Sequence, residues 1–179
     1  MTAISNIKKI SKAQEKAKAL RDSFWPDLDE SRLWNRKTSN GFTTVPRTMP
    51  LIMNIIDALS KNKPAGRTYF ALWCRSFDQS FLVIDNPMTL AAEAGFTGER
   101  AVSTWKERMR TLVELGFIDA RKGTTGDFHY VLLLNPHQVA GQLRDRIQDG
   151  MFLQLQTRVI EIGANDIATP APPPSDSDQ

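Results

Sequence analysis

Between Phe81 and Leu134 the apolar positions change period several times, and the order of those changes predicts an architecture. Leu82, Val83 and Ile84 make a short run rich in β-branched residues, suited to a strand. Asn86 and Pro87 then suit the cap and first turn of a helix that carries Leu90, Ala91 and Ala94 on one side. Gly95 and Gly98 bracket Phe96 and Thr97 as a tight helix-to-helix turn in which glycine supplies positive φ. The spacing next predicts a longer helix from Glu99 to Leu115. Its Val102, Trp105, Met109, Leu112 and Val113 recur at intervals of three and four and so share an inward face. Gly116 ends this helix. Phe117 and Ile118 open a strand whose partner is Phe128 to Leu134, and the connector Lys122 to Asp127 has the two glycines of a hairpin tip.

The flanks read as helical extensions. Ile4 to Arg21 repeats Ile4, Ile7, Ile10, Ala13, Ala17 and Leu20 at helical spacing among five lysines, a basic amphipathic helix that could dock on the body, on a second subunit, or on phosphates. A connector follows, with Trp25 and Trp34 expected to pin it to the core. Pro50 opens a helix with Leu51, Ile52, Ile55, Ile56 and Leu59 on one face, and Thr68 caps another that runs to about Ser80. After the hairpin, Asn135 and Pro136 cap a long helix from His137 to about Ile162, striped by Val139, Leu143, Ile147, Met151, Leu155, Val159 and Ile162. Part of that stripe would stay uncovered in a monomer, so a homodimer is expected, with folding back on the N-terminal helix as the equal alternative. The domains are then 1–45 (basic helix and connector), 46–135 (central domain), 136–165 (C-terminal helix) and 166–179, a disordered Pro/Asp tail.

Helix, tight turn, helix and hairpin, with Leu112-Val-Glu-Leu-Gly-Phe-Ile118 leaving the second helix, resemble the winged helix-turn-helix DNA-binding family. The stretch Gly41-Phe-Thr-Thr-Val-Pro46 ahead of them is more loosely similar to replication initiators and accessory proteins of plasmids and phages. The resemblance implies a mostly α fold with a small β-hairpin wing and N- and C-terminal helical extensions. It implies binding of double-stranded DNA, in transcriptional regulation or in plasmid or phage replication or maintenance. The alternative is a winged helix that docks proteins without touching DNA.

Charge fits a polyanionic partner once its distribution is considered. Net charge is only +3, yet no Lys or Arg follows Arg158 while Glu161, Asp166, Asp176 and Asp178 do, so the rest holds 23 cations against 16 carboxylates, or +7. A helix in the major groove, about 12 Å wide, meets base edges with its N-terminal half. That half would hold Glu99, Arg100, Ser103, Thr104 and Lys106, with Arg110 further along and Arg121, Lys122, Thr124 and Thr125 on the wing. Arg100 is the residue for base readout, because a guanidinium can donate two hydrogen bonds to guanine. Lys106 and Arg110 are expected on phosphates, and Glu99 could accept from cytosine N4.

Other chemistries have little to build on. The single cysteine, Cys74, excludes an intramolecular disulfide and a multi-cysteine zinc site and is expected to be a buried thiol. His129 and His137 lack metal-ligand spacing, and no phosphate loop, dinucleotide fingerprint or nucleophile elbow is present. The expectation is a cytoplasmic protein that is not an enzyme and uses no cofactor or metal. No apolar run reaches the roughly 20 residues needed to cross a bilayer.

Overall fold

The computed structural model describes residues 2–168, with side chains over 12–167, and divides the chain after Phe42 into two units. The Pro-rich stretch 169–179 lies outside the described residues. Among them the fold is mostly helical, with one small antiparallel sheet.

The first unit is α1 (Thr2–Phe24) and an irregular connector. The side chains of Lys8 and Lys9 and of Ile4, Ile7 and Ile10, which were to form the helix's two faces, lie outside the described ones. Lys18 and Asp22, one turn apart, pair at 2.8 Å, and Arg21 reaches Glu30 at 2.6 Å. Trp25 and Trp34 do not pin the connector to a core. They are 60% and 65% exposed, and their rings stand edge-on to Phe24 and Phe42 of the same unit.

The second unit begins with α2 (Met49–Leu59), which has Pro50 in its first turn as expected and buries Ile52, Ile55 and Ile56. Helix α3 (Gly66–Arg75) starts earlier and ends earlier than the sequence suggested: Thr68 is buried inside it rather than capping it. Gly66 is required by packing, since a Cβ there would lie 2.7 Å from the Met53 carbonyl oxygen of α2. Tyr69 and Leu72 face the core, which turns Cys74 outward and leaves Phe77, beyond the helix end, exposed. The expectation of a buried Cys74 was therefore wrong. Shielding by its neighbours and then the charge of Glu93 still hold its thiol above the usual range.

Strand β1 (Phe81–Val83) leads to α4 (Pro87–Glu93), capped by Asn86 as predicted, its side chain accepting from the N–H groups of Met88 and Thr89. Helix α5 (Ala101–Glu114) follows, then β2 (Ile118–Gly123) and β3 (Gly126–Leu133). Helices α4 and α5 both end in paired reverse bonds. Phe96 N–H donates to Ala91 and Gly95 N–H to Ala92; Phe117 N–H donates to Leu112 and Gly116 N–H to Val113. Gly95 and Gly116 sit at φ +87° and +79°, where a side chain would be strained. β1 joins the hairpin's far side, giving the order β1-β3-β2 with Leu82 opposite Val131 and Ala120 opposite Val131.

The long C-terminal helix is not continuous. Helix α6 (Pro136–Gln142) gives way to a tight turn at Arg144–Arg146, extended backbone at Ile147 and Gln148, and α7 (Asp149–Glu161). Steps of four residues at about 100° each drift roughly 40° per step, so a stripe from 139 to 159 winds halfway around a straight helix. Breaking the helix lets Val139 and Ala140 on one side and Phe152, Leu155 and Val159 on the other all enter the core. Arg144 holds the break: it donates to the Ile147 carbonyl, pairs with Asp149 and lies over the Phe152 ring. The stripe expected to meet a second copy is thus covered within the chain.

Asp166–Ala168, expected to belong to a disordered tail, forms a turn. Asp166 accepts from Asn135 Nδ2 at 2.8 Å and from His137 Nδ1 at 2.7 Å, and His137 Nε2 lies 2.7 Å from the buried Thr48 hydroxyl. Partial burial alone would raise the Asp166 pKa, but the bonds from Asn135 and His137 outweigh it and hold it below the usual carboxylate value. Because folding lowers this pKa beneath its unfolded value of about 3.9, the stabilisation is complete above that pH and is lost as pH falls through the folded value. Asp166→Asn is expected to melt below the wild type at pH 6, and the difference is expected to shrink as pH falls below the unfolded value of about 3.9. Thermal melts across that range check this; an offset that persists in acid would mean that packing, not charge, carries the contact.

Candidate nucleic-acid interface

Helix α5 is fixed by its inner face. Ala101, Trp105, Met109 and Leu112 are buried, and Trp105 stands edge-on to Phe128 of β3 with ring centroids 5.9 Å apart. Val102 is only half-buried and Val113 is exposed, so the inward stripe is centred one residue away from the expected one. Arg108, between two core positions, covers Phe96 in the α4–α5 turn at 5.7 Å. The opposite side of α5 is left to solvent.

That outward side holds most of the expected residues. Arg100 is exposed at the cap position, because the helix starts at Ala101 rather than at Glu99. Glu99 precedes it on the exposed turn. Ser103 is exposed but donates its hydroxyl to the Arg100 carbonyl at 2.9 Å, while Thr104 and Lys106 are half-buried at the flanks. Lys106 leans toward the hairpin: its Nζ is 4.0 Å from the place a Cβ on Gly126 would take. Arg110 is exposed further along.

The hairpin separates its four candidates. Arg121 and Lys122 are exposed, with Arg121 held 2.9 Å from Asp119. Thr124 sits exposed in the two-residue turn between Gly123 and Gly126. Thr125 departs from its expected role on phosphate because its hydroxyl points inward, donating to the Ile84 carbonyl at 2.6 Å and lying 2.7 Å from His129 Nδ1. His129 is buried, and its ring presses on Gly123 so closely that a Cβ there would sit 2.3 Å from Cδ2. This histidine braces the hairpin, with no carboxylate hydrogen-bonded to it among the described residues.

Sequence reasoning missed a second group of cations. Lys61 and Lys63 from the α2–α3 connection and Arg146 from the C-terminal break meet Arg110 around a groove of about 420 Å³ beside α5. Their separation along the chain leaves no spacing signal; only the break in the C-terminal helix brings Arg146 there.

Among the described residues, no group of three or more His, Cys, Asp or Glu side chains could hold a metal ion, and no helix is long and apolar enough to cross a membrane. No protein-family model, curated protein or solved structure matches the chain.

The brace has a direct consequence for stability. Thr125→Val removes the bond to Ile84 and leaves His129 Nδ1 with one partner fewer, an expected loss of about 1–3 kcal/mol. Gly123→Ala forces the His129 ring aside at a similar cost of about 1–3 kcal/mol. Urea unfolding checks both; if the double substitution costs the sum of the two, they do not share the His129 contact.

Proposed function

We propose that the second unit is a winged helix-turn-helix that binds double-stranded DNA, with α5 in the major groove and the β2–β3 hairpin as its wing. The order α3, β1, α4, α5, β2, β3 supports this reading, as do the glycine-containing turn between α4 and α5 and the three-stranded sheet. The observation that carries it is the outward face of α5: Arg100, Ser103 and Arg110 exposed on one side of a helix whose other side is buried, beside exposed Arg121 and Lys122.

On this reading, Arg100 at the helix start meets a guanine edge and Glu99 accepts from a cytosine amine. Thr104 and Ser103 border the bases. Lys106, Arg110, Arg121, Lys122 and Thr124 contact phosphates, and Thr125 holds the wing from inside. Such binding serves a transcriptional regulator and a plasmid or phage replication or maintenance factor equally. A homodimer on paired half-sites belongs to the proposal, and Leu153 and Ile160, exposed one above the other on α7, are the surface we assign to it.

A second reading has one observation behind it. The outer face of the sheet exposes Phe81 and Val83 of β1 beside Leu132 and Tyr130 of β3, with Phe81 and Tyr130 stacked at 6.3 Å. Such a patch suits a protein partner.

Retention of random duplexes by the purified protein across a salt series, followed by sequencing, separates the two. The DNA reading expects affinity that falls steeply with salt and a shared motif in what is retained. No retention even at low salt would leave the protein-docking reading. Arg100→Ala is expected to cost about 1–3 kcal/mol on the retained motif and little on unrelated duplex. Equal losses on both would reassign Arg100 to phosphate.

A further inference from the structure

The groove beside α5 has more positive charge than it can neutralise. Lys61, Lys63, Arg110 and Arg146 line it with Glu107 and Glu114, four cations against two carboxylates. Lys63 lies 3.8 Å from Glu107, whereas Lys61, Arg110 and Arg146 make no ion pair among the described residues. Like charges gathered at one place repel, and an anion relieves the repulsion.

The connection that supplies the two lysines is braced. Lys63 N–H donates to Ser60, and Asp57 accepts from the Gly66 N–H at 2.7 Å. Between them Lys61 and Asn62 take φ of 45° and 71°, a left-handed pair without a glycine. Asparagine suits that conformation, but a lysine adopts it only when its surroundings impose it, and such strain gathers at functional sites.

We propose that this groove is a phosphate clamp for the same duplex, gripping the backbone that borders the major groove beyond the C-terminal half of α5. The proposal rests on the DNA reading above and adds Lys61, Lys63 and Arg146 to its contacts. From Arg100 to Arg110 a helix rises about 15 Å, more than the roughly 12 Å width of the major groove. With Arg100 among base edges, Arg110 stands at the groove wall, where the phosphates run. Arg110, which lines the clamp, follows Lys106, which reaches the wing, by one turn at about 40° around α5, so the clamp cations would continue the wing's phosphate contacts toward the C-terminal end of the helix.

The test is the salt dependence of duplex binding for the wild type and for Lys61→Asn/Lys63→Gln/Arg146→Gln. Asparagine suits the left-handed position at 61, and a thermal melt verifies that the variant folds. Each lost phosphate contact lowers the slope of log K against log salt by about 0.9, so a drop of about 2–3 with the sequence preference unchanged is expected. An unchanged slope overturns the clamp and leaves the DNA reading standing, and a changed preference overturns it by making these residues base readers. A wild type that binds no duplex removes both. If the triple variant does not fold, Arg146→Gln alone is expected to lower the slope by about 0.9.

Discussion

The placement of α5 depends on the burial of Trp105. Its ring is wedged edge-on to Phe128 of β3, and with Met109 and Leu112 it sets the rotation of α5 about its own axis. Removing a buried tryptophan costs about 3–5 kcal/mol, a large share of the roughly 5–15 kcal/mol that holds a domain together. Aim and stability are therefore one property here. The outward residues contribute little to either, because exposed charges on a helix are worth a few tenths of a kcal/mol each. Their identity is free to follow a partner while the direction of the helix stays fixed.

A bare two-stranded hairpin would be a poor fixed arm, since such a ribbon is marginal in water. Two features stiffen this one. β1 adds a third strand along β3, and the tip is locked by the contact of Thr125 and His129 with the Ile84 backbone just beyond β1. Gly123 is the condition for that lock, because only a residue without Cβ leaves room for the imidazole. A threonine that looked like a surface donor and a histidine that looked unassigned are thus parts of one structural joint.

What could be read from the chain was local. Glycines at 95, 98 and 116, the Asn86 cap and the period of three and four from Val102 to Val113 each report on neighbours within a turn or two, and they placed α4, α5 and the hairpin to within a few residues. What could not be read depends on which face meets which. Cys74 was expected to be buried, yet a helix at the edge of a small core buries one face only, here that of Tyr69 and Leu72, which turned Cys74 outward. Trp25 and Trp34 carry enough apolar surface to suggest anchoring, but hydrophobicity alone names no partner. At the candidate interface, the α5 residues were legible from periodicity, whereas the inward turn of Thr125 was not, since a hydroxyl suits either environment.

The C-terminal break ties the fold to the candidate site. An unbroken helix over 136–162 would run about 40 Å and carry its apolar stripe around to the solvent side. Breaking it at 143–148 stabilises the core through Ile147 and Phe152 and returns the chain across α2. The residue that turns outward when Ile147 turns in is its neighbour Arg146, and it faces the groove of Lys61, Lys63 and Arg110. An apolar packing requirement on one side of the turn thus fixes the position of a cation on the other. It is the same relation that Trp105 imposes on the outer face of α5.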